Sequence, residues 1–309
     1  MVGFSKKFLL IGIITFPIIA SILLNVILPK PPTNHGSGSM FDLIATRYDF
    51  INRALALNLD IGWRKVMVRE IAKHVQVSID RHNIQKGDTV QFLDLATGTA
   101  DVAILLAKEY EDHFQTAAKK KGKKRPKVNN FHILGVDPSI NMINVGKQKI
   151  LSEKLSDTIH LELGDARELT NLSDNSFDSA TMSFGIRNVP EKEVAFCEIH
   201  RVLKKDGYAK LAILEFSEPS ADSGVMGSLA RLFIRHVVPT IGAILSGAPR
   251  EYMHLQNSIK EFPTPKQFVA LLEGVKCKNG GKSGTFRVDK LKHLNFGSVQ
   301  LYVATPIYT

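Results

Sequence analysis

The sequence of 309 residues predicts an α/β fold, in which helices cover both faces of a mostly parallel sheet. From Thr89 onward, short apolar runs alternate with segments that have helical apolar spacing. The runs are continuously apolar, as expected of strands that are buried on both faces. Apolar residues make up 44% of the chain and charged residues 23%, which is ordinary for a globular protein and argues against a largely disordered one.

The elements can be placed in order along the chain. The segment that begins at Met40 and runs to "REIAKHV" has helical apolar spacing and predicts two leading helices. A further strand is expected near Val275, and residues 220–260 are expected to form helical and irregular cover for a substrate. Strands are predicted at "TVQFLDLA", "FHILGVD", "IHLELGD", "FDSATMSFG", "YAKLAILEF" and "SVQLYVATP". Helices are predicted at "ADVAILLAKEY", "SINMINVGKQKILSEKL", "EKEVAFCEIHRVLKK" and "PKQFVALLEGV".

The N-terminus differs from the rest of the chain. Phe8–Leu28 is a run of 21 residues without a charge, which is long enough for a helix across a bilayer. This run predicts a single transmembrane anchor at residues 1–28, with a processed targeting segment as the alternative. Residues 29–39, rich in proline, glycine and serine, predict a linker, and residues 40–309 predict the globular domain.

Charge and cysteines exclude some functions. The net charge is +10, but Lys119–Lys127 carries seven basic residues and no acid, so that +3 remains without it. This basic insertion, within residues 110–130, favours a solvated loop over a patch for anionic lipid or nucleic acid. The two cysteines, Cys197 and Cys277, are far apart and predict neither a disulfide framework nor a metal cluster.

The first strand–helix loop indicates which nucleotide the fold holds. Ligands of such sheets lie at the carboxyl ends of the strands. The loop after Asp94 reads A-T-G-T-A-D and keeps only Gly98 of the G-x-G-x-x-G pattern that seats a pyrophosphate. It also places Asp101 where a diphosphate would need positive charge. A cofactor with a cationic centre and no phosphates fits better, and S-adenosylmethionine is such a molecule.

Three more strand ends carry polar groups that suit this cofactor. Asp137 follows the second strand and can accept hydrogen bonds from ribose hydroxyls. Asp165 follows the third and can accept from an adenine amino group, with the Ala166 backbone beside the ring. Ser183 ends the fourth and could line the methionine part. Each alone could be a helix cap or a solvated turn residue, but four in the right order favour the cofactor site.

The globular part resembles the ubiquinone/menaquinone biosynthesis C-methyltransferase family. The resemblance is carried by "FDLIATRYDFIN", "LDLATGTAD", "GVDPSINMINVGKQKI", "SFGIRNVPEKEVAFCEIHRVLKKDGY", "LEFSEP", "YMHLQNSIKEFP" and "LNFGSVQLYVA". It implies a Rossmann-like class I methyltransferase fold with seven strands, the last antiparallel, and S-adenosylmethionine as the cofactor. One departure is Ala100, where the family usually has glycine and where a methyl group could crowd the methionine end of the cofactor. The cofactor residues that the strand ends and this resemblance indicate are Asp94, Gly98, Thr99, Asp137, Asp165, Ala166 and Ser183.

The resemblance also implies a chemistry. The acceptor would be a ring carbon of a quinol with a long isoprenoid tail, which becomes nucleophilic when the neighbouring phenol loses its proton. Arg187, Asn188, Tyr48 and Asp49 are the candidates that would stabilise the phenolate or remove the proton. Arg187 cannot be a direct base, and it could instead form a surface ion pair. Asp49 could instead cap a helix.

The favoured function is C-methylation of a polyprenyl quinol, most specifically 2-methoxy-6-polyprenyl-1,4-benzoquinol. Demethylmenaquinol or demethylphylloquinol is the alternative acceptor, and a non-catalytic scaffold of a quinone-biosynthetic complex is the alternative of another class. Methylation of a nucleic-acid base is disfavoured, because the fourth strand ends in "SFGIRN" and not in N/D-P-P-Y. No metal and no nucleic acid are expected.

The expected partners are a membrane and a substrate dissolved in it. Other quinone-biosynthesis proteins or a second copy of the chain could join them. The segment "VMGSLARLFIRHVVPTIGAIL" could form an apolar entrance for the isoprenoid tail. Alternatively, its apolar residues could simply pack in the hydrophobic core. By the family resemblance, the expected location is the matrix side of the mitochondrial inner membrane, with a plastid membrane as the alternative.

Overall fold

The computed structural model describes residues 38–82, 89–120, 131–219, 224–238, 240–241, 254, 257–279 and 282–308. Its helices are α1 Ser39–Asp42, α2 Ala45–Leu55, α3 Leu59–His82, α4 Asp101–Lys120, α5 Ile140–Ser152, α6 Lys192–Val202, α7 Gly224–Leu232 and α8 Pro265–Gly274. Its strands are β1 Val90–Leu95, β2 Phe131–Asp137, β3 Ile159–Leu163, β4 Ser179–Ser183, β5 Lys210–Phe216, β6 Cys277–Asn279, β7 Lys282–Leu294 and β8 Val299–Tyr308.

All the described strands form one sheet in the order β3-β2-β1-β4-β5-β8-β7-β6. The pairs β1–β2, β1–β4, β2–β3 and β4–β5 are parallel, so the predicted, mostly parallel α/β sheet is confirmed. Strand order reverses between β1 and β4, and the carboxyl ends of these two strands therefore border a crevice. Asp94 on β1 lies opposite Gly135 of β2 and Thr181 of β4, which brings three strand ends to one edge.

The strand count differs from the prediction of seven, because the described sheet has eight strands. Strand β8 runs antiparallel to β5, and β7 and β6 continue the sheet as an antiparallel extension. The strand expected near Val275 is the short β6. Strand β7 was not predicted, because it contains no continuous apolar run. Its residues alternate between apolar and charged, as in "FRVDKLKHL", because much of this outer strand is exposed.

Local signals explain where the helices around the site begin. Helix α5 is capped by Ser139, whose Oγ accepts a hydrogen bond from the Met142 backbone N–H at 3.2 Å. Helix α8 begins with a capping box between Thr264 and Gln267 and has Pro265 in its first turn. The cap at Ser139 fixes the path of the chain directly after Asp137, where the cofactor was predicted to bind.

Two apolar cores pack on opposite faces of the sheet. One is built around α3 and α4, with Trp63, Met67 and Tyr110 against the strands. The other is built around α6 and α8, with Phe196 and Phe268. Because both faces are covered, the free edge of the parallel strands at their carboxyl ends is the part of the sheet left to bind a ligand.

The two cysteines correct a prediction made from the sequence. Cys197 on α6 and Cys277 on β6 form a disulfide, with their Cα atoms 5.0 Å apart. They are 80 residues apart in the chain, and the pairing was not predicted because the fold alone brings β6 beside α6. No group of three or more metal-binding side chains occurs in the described part of the chain.

Several predicted segments lie outside the described residues. The anchor at residues 1–28 and the linker, apart from its end, are among them, as is most of the basic block Lys119–Lys127. Within the described ranges, no helix is long and apolar enough to cross a bilayer. The domain boundaries proposed from the sequence therefore stay predictions.

Candidate active site

Two hollows open at the carboxyl ends of the parallel strands. The first, here called the cleft, lies over the ends of β1, β2, β3 and β4. The second, here called the cavity, has a volume of about 460 Å³ and lies between α2, α3 and α7. Tyr48 and Phe184 line both hollows. Two molecules bound in the cleft and in the cavity would therefore meet at these two rings.

The floor of the cleft is formed by the loop after β1 and by Asp137. The Asp137 carboxylate accepts hydrogen bonds from the backbone N–H groups of Gly98 at 2.8 Å and of Ser139 at 2.9 Å. Gly98 has φ +56°, and a Cβ atom built on it would meet nothing within 4 Å, so this residue faces open space in the cleft. Burial raises the pKa of Asp137 to about 6.

The far wall of the cleft contains Asp165, Ala166 and Ser183. The Asp165 carboxylate is paired with Arg167, whose Nη2 donates a hydrogen bond at 2.7 Å. Burial opposes ionisation, but the hydrogen bonds from Arg167 hold the pKa of Asp165 below its ordinary value. The Oγ of Ser183 is buried without a hydrogen-bond partner among the described residues. A buried hydroxyl in this state is ready to bind a polar ligand atom.

A close approach of two loops shapes the crevice between β1 and β4. A Cβ atom on Gly185 would lie 2.4 Å from the Cβ atom of Ala96, so only glycine fits there. The next residue towards β4, Phe184, has φ +57°, which a bulky side chain rarely adopts and which costs roughly 1–2 kcal/mol. Its ring stacks on Phe216 with the ring centres 4.6 Å apart, and the guanidinium of Arg64 lies 5.2 Å from its centre. These contacts hold the ring as a partition between the cleft and the cavity.

Two of the predicted cofactor residues, Asp94 and Thr99, do not line the cleft. Asp94 is buried and accepts hydrogen bonds from Thr97 Oγ1 at 2.6 Å and Thr181 Oγ1 at 2.7 Å. Burial raises the pKa of Asp94 to about 6. Its position indicates that it fixes the shape of the loop that carries Gly98, rather than contacting a ligand.

Thr99 instead lies beside Asp49, which was predicted to be catalytic. Thr99 Oγ1 donates to Asp49 Oδ1 at 2.6 Å, and Lys149 Nζ lies 2.8 Å from Asp49 Oδ2. Asp49 lines neither the cleft nor the cavity. The structure thus brings these two residues together in a contact between α2 and α5, outside the linings of both hollows.

That contact is part of a larger ion-pair cluster between the leading helices and the domain. Asp101 Oδ1 lies 2.6 Å from Lys149 Nζ, and Asp101 Oδ2 lies 2.5 Å from Arg53 Nη2. Asp60, which is buried, pairs with both Arg53 and Arg64. Although burial opposes it, the charges of Lys149 and Arg64 hold the pKa of Asp101 below its ordinary value. Asp101, the acid in the loop that disfavours a diphosphate, therefore holds α2 and α3 against the domain through ion pairs with Arg53 and Arg64.

The position of Ala100 argues against crowding of the cofactor. Ala100 is fully buried and has φ +67°, and it does not line the cleft. A Cβ atom built on Gly146 of α5 would lie 3.4 Å from the Ala100 Cβ atom. The methyl group therefore faces α5, and we expect it not to crowd a cofactor in the cleft.

Arg187 lines the cavity and is held by a buried acid. Its Nη1 lies 2.5 Å from Glu215 Oε1 and donates to the Phe184 carbonyl at 2.8 Å. The exposed fractions of the two side chains are 5% for Arg187 and 0% for Glu215. Glu215 also accepts from the backbone N–H of Phe216 at 2.8 Å. The surface ion pair considered for Arg187 is thus excluded, because this pair is buried at the wall of the cavity.

Tyr48 and Asn188 complete the junction between the two hollows. Burial raises the pKa of Tyr48 above its ordinary value, although the charges of Arg187 and Arg64 oppose this shift. The phenol is therefore protonated near neutral pH and can donate a hydrogen bond. Asn188 lines the cleft, and its Oδ1 lies 3.3 Å from Nε2 of the buried His254.

The fold and the cleft together define a class I methyltransferase that uses S-adenosylmethionine. The ubiE/COQ5 methyltransferase family matches residues 33–285, and the chain belongs to this family. It is 35% identical over 240 residues to the ubiquinone/menaquinone biosynthesis C-methyltransferase UbiE of Geotalea uraniireducens. The aligned region covers 78% of this chain and 87% of that protein. It is also 32% identical over 281 residues to the demethylmenaquinone methyltransferase of Bacteroides fragilis. This aligned region covers 89% of this chain and 96% of that protein.

The enzyme class and the cofactor predicted from the sequence are thereby confirmed: the chain is an S-adenosylmethionine-dependent C-methyltransferase. The cleft suits this cofactor chemically. Asp137 keeps carboxylate lone pairs for ribose hydroxyls, and the space in front of Gly98 admits a ligand that any side chain there would block. The unpartnered Ser183 hydroxyl can bind the polar methionine end.

The structure shows several residues near the site that the sequence did not reveal. Glu215 lies at the end of β5. Its signal in the sequence is the same as that of the other site residues, a polar side chain at a strand end, and it stands in "LEFS" after the fifth apolar run. Trp63 and Arg64 line the cavity from α3, but their helical spacing indicated only core. His254 lies within "YMHLQNSIKEFP", which carried the family resemblance, but nothing in that segment indicates that it lies beside Asn188.

Proposed function

We propose that the enzyme methylates a ring carbon of a quinol that carries a polyprenyl tail. The observation that carries this proposal is the apolar cavity of about 460 Å³, which meets the cofactor cleft at Tyr48 and Phe184 and holds Arg187 in its wall. A hollow of this size and character suits a planar apolar ring with a hydrocarbon chain. The names of the relatives, which act in ubiquinone or menaquinone biosynthesis, support the same substrate class.

Each end of the cavity suits a different part of such a molecule. At the inner end, the stacked rings of Phe184 and Phe216 and the edge of Trp63 offer flat apolar surfaces to a quinol ring. At the outer end, Met226 and Leu229 of α7 offer flexible apolar side chains to an isoprenoid tail. The ring would therefore lie next to the cleft, with its tail directed outward past α7.

When bound, S-adenosylmethionine supplies a methyl group that the positive charge on its sulfur activates for transfer. Arg187 contributes a fixed positive charge at the ring end of the cavity, where it would stabilise the phenolate that makes the neighbouring carbon nucleophilic. Glu215 and the Phe184 carbonyl orient the guanidinium. Tyr48, protonated because it is buried, can donate a hydrogen bond to the same oxygen. The apolar lining of the cavity would reduce the access of water to the two reacting groups.

Arg187→Met tests this role. With a prenylated quinol and labelled S-adenosylmethionine, the rate constant for ring methylation should fall by about 10²–10³-fold, because a preorganised positive charge is lost. The dissociation constant of the cofactor should stay the same, since Arg187 does not line the cleft. Arg69→Met is the matched control, because Arg69 forms an exposed ion pair with Glu109, far from the cavity. An Arg187→Met enzyme with the wild-type rate would contradict the proposal.

Among quinols, we propose a 2-methoxy-6-polyprenyl-1,4-benzoquinol as the acceptor. The second candidate is a naphthoquinol such as demethylmenaquinol, which the name of the Bacteroides fragilis relative favours. The ratio of kcat/KM for the two acceptors, measured with the same tail length, decides between them. A higher value for the naphthoquinol would overturn the choice of ring and leave the reaction type unchanged.

For its location, we propose that the protein is membrane-associated, on the matrix side of the mitochondrial inner membrane. The uncharged run Phe8–Leu28 and the apolar cavity support association with a membrane. The organelle rests on the family resemblance, and a plastid membrane is the alternative. Fractionation of cells that express the full chain with a C-terminal tag tests it, and a plastid signal would exclude the mitochondrial choice.

A further inference from the structure

Helix α7 is unusual because most of its apolar side chains face solvent. Only Gly227 is buried among its nine residues, while Val225 is 77% exposed and Leu229 is 54% exposed. Helices of globular proteins normally bury their apolar face against the core. The spacing of Val225, Leu229 and Leu232 places these side chains on one face of the helix, where they form an apolar stripe.

Other exposed apolar residues continue this stripe around the mouth of the cavity. Leu57, at the turn between α2 and α3, is 71% exposed, and Phe296, after β7, is 62% exposed. Both line the cavity, as do Met226, Leu229 and Phe233 of α7 and the turn after it. We call this patch, from the stripe on α7 to Leu57 and Phe296, the apolar rim. A contiguous exposed patch of this kind marks an interaction surface.

The charge next to the rim is positive. Residues 224–241 contain Arg231 and Arg235 and no acid. Arg235 and Lys260 line a second hollow, which shares Ile234 and Ile259 with the wall of the cavity. Arg235 is paired there with Glu218, the only acid among the described lining residues, at 2.6 Å from Nε to Oε1, so the local excess of positive charge comes from Arg231 and Lys260. Apolar side chains flanked by basic ones are typical of surfaces that lie on anionic lipid.

The predicted anchor would join the described part of the molecule at this end. The described chain begins at Gly38, which lines the cleft at the same edge of the sheet as the cavity. Nine residues, 29–37, separate Gly38 from the uncharged run Phe8–Leu28. A chain of nine residues reaches at most about 32 Å, so an anchored run would keep Gly38 within that distance of the lipid.

We propose that the apolar rim docks on a bilayer that carries anionic headgroups, so that the cavity opens directly into the hydrocarbon. This inference rests on the proposed function, because a polyprenyl tail can then enter the cavity without crossing water. The rim is thus both the membrane contact and the gate for the substrate, whereas the N-terminal run only tethers the protein.

The test is side-chain footprinting of the full chain by hydroxyl radicals, with and without vesicles of phosphatidylcholine and phosphatidylglycerol. Docking should slow the modification of Val225, Met226 and Phe296 by at least about threefold, because these side chains leave water. Leu151, which is 64% exposed at the far end of α5, should react at the same rate in both conditions. Membrane insertion of the N-terminal run alone would protect none of these positions.

Three results would overturn the proposal. The rim could stay unprotected with vesicles, or it could be equally protected by phosphatidylcholine alone, which lacks the anionic charge. Protection that rises with protein concentration in the absence of vesicles would identify a second copy of the chain as the occupant. The footprint needs no substrate, so protection of the rim in a protein that methylates no quinol would refute the proposed function and not the docking.

A variant connects docking to catalysis. Val225→Asp combined with Leu232→Asp places negative charge on the stripe without changing residues that line the cavity. Methylation of a long-tailed quinol in anionic vesicles should fall by about tenfold, while a short-tailed, water-soluble quinol should react at the wild-type rate. Leu151→Asp is the matched control and should leave both rates unchanged. Equal loss with both substrates would show damage to the fold and would contradict this role of the stripe.

Discussion

Glu215→Gln isolates the buried charge pair that holds Arg187 in place. The substitution keeps the shape of the side chain and one oxygen that accepts hydrogen bonds, but it removes the negative charge. Arg187 then stays buried, with 5% of its side chain exposed, and no described acid compensates its charge at this position. Removing one partner of a buried ion pair typically costs about 3–5 kcal/mol, and the oxygen that remains argues for the lower end, about 3 kcal/mol.

Urea unfolding followed by the fluorescence of Trp63, the single tryptophan, measures this loss. With a slope of about 2 kcal/mol per molar urea, the midpoint should fall by roughly 1.5 M. Glu153→Gln is the control, because Glu153 and Lys108 form an exposed pair, with 44% and 49% of their side chains accessible. That change should cost less than about 1 kcal/mol. Equal midpoints for Glu215→Gln and the wild type would refute the view that this buried pair holds Arg187 in place.

Five further predictions concern other parts of the molecule. Asp137→Asn should weaken S-adenosylmethionine binding by about tenfold or more, as measured by calorimetry. In the wild type, burial raises the pKa of Asp137 to about 6. Cofactor binding should therefore weaken as the pH falls below about 6, since protonation of the carboxylate removes a hydrogen-bond acceptor. The same raised pKa means that Asp137 contributes a loss of stability to the free protein as the pH rises from about 4 to about 6, because only the folded state holds that proton. This contribution should be absent when the unfolding free energy of Asp137→Asn is measured over the same pH range. Ala100→Gly should leave the cofactor dissociation constant unchanged and change the unfolding free energy by less than about 1 kcal/mol, since relief of φ +67° offsets the lost buried methyl group. The disulfide Cys197–Cys277 closes a loop of 80 residues, and its reduction should lower the free energy of unfolding by roughly 4 kcal/mol. Detection of free thiols by mass spectrometry in the oxidised protein would exclude this bond. Deletion of Lys119–Lys127 should leave the methylation rate intact, and a large loss would refute its assignment as a solvated loop.

The sequence reveals most of what lies on the parallel strands. Apolar runs predicted β1 to β5. Strands β1 and β5 are buried along almost their whole length, as continuous apolar runs predict, whereas the edge strand β3 alternates between buried and exposed residues. The same runs end in Asp137, Asp165 and Ser183, and parallel strands necessarily bring such ends to one edge. Strand β7 was missed because one of its faces is solvated, which replaces the apolar run by an alternation with lysine.

Contacts that depend on the folded chain could not be read in this way. Thr99 and Asp49 carry the residue types of a binding site, yet the fold directs them to Lys149, a residue 50 positions from Thr99. The opposite holds for Glu215, which resembles an ordinary strand residue until the fold places it against Arg187. A side chain at a strand end was thus predictable, whereas its partner from another element was not.

The central claim is that the cleft and the cavity present a methyl donor to a quinol ring across Tyr48 and Phe184. Its most direct test is the reaction of the full-length protein with S-adenosylmethionine, labelled with carbon-13 in the methyl group, and a prenylated quinol in vesicles, followed by NMR of the product. A labelled methyl group bonded to a ring carbon is the expected product. A labelled methyl group on oxygen, or no transfer by a protein that binds both ligands, would contradict it.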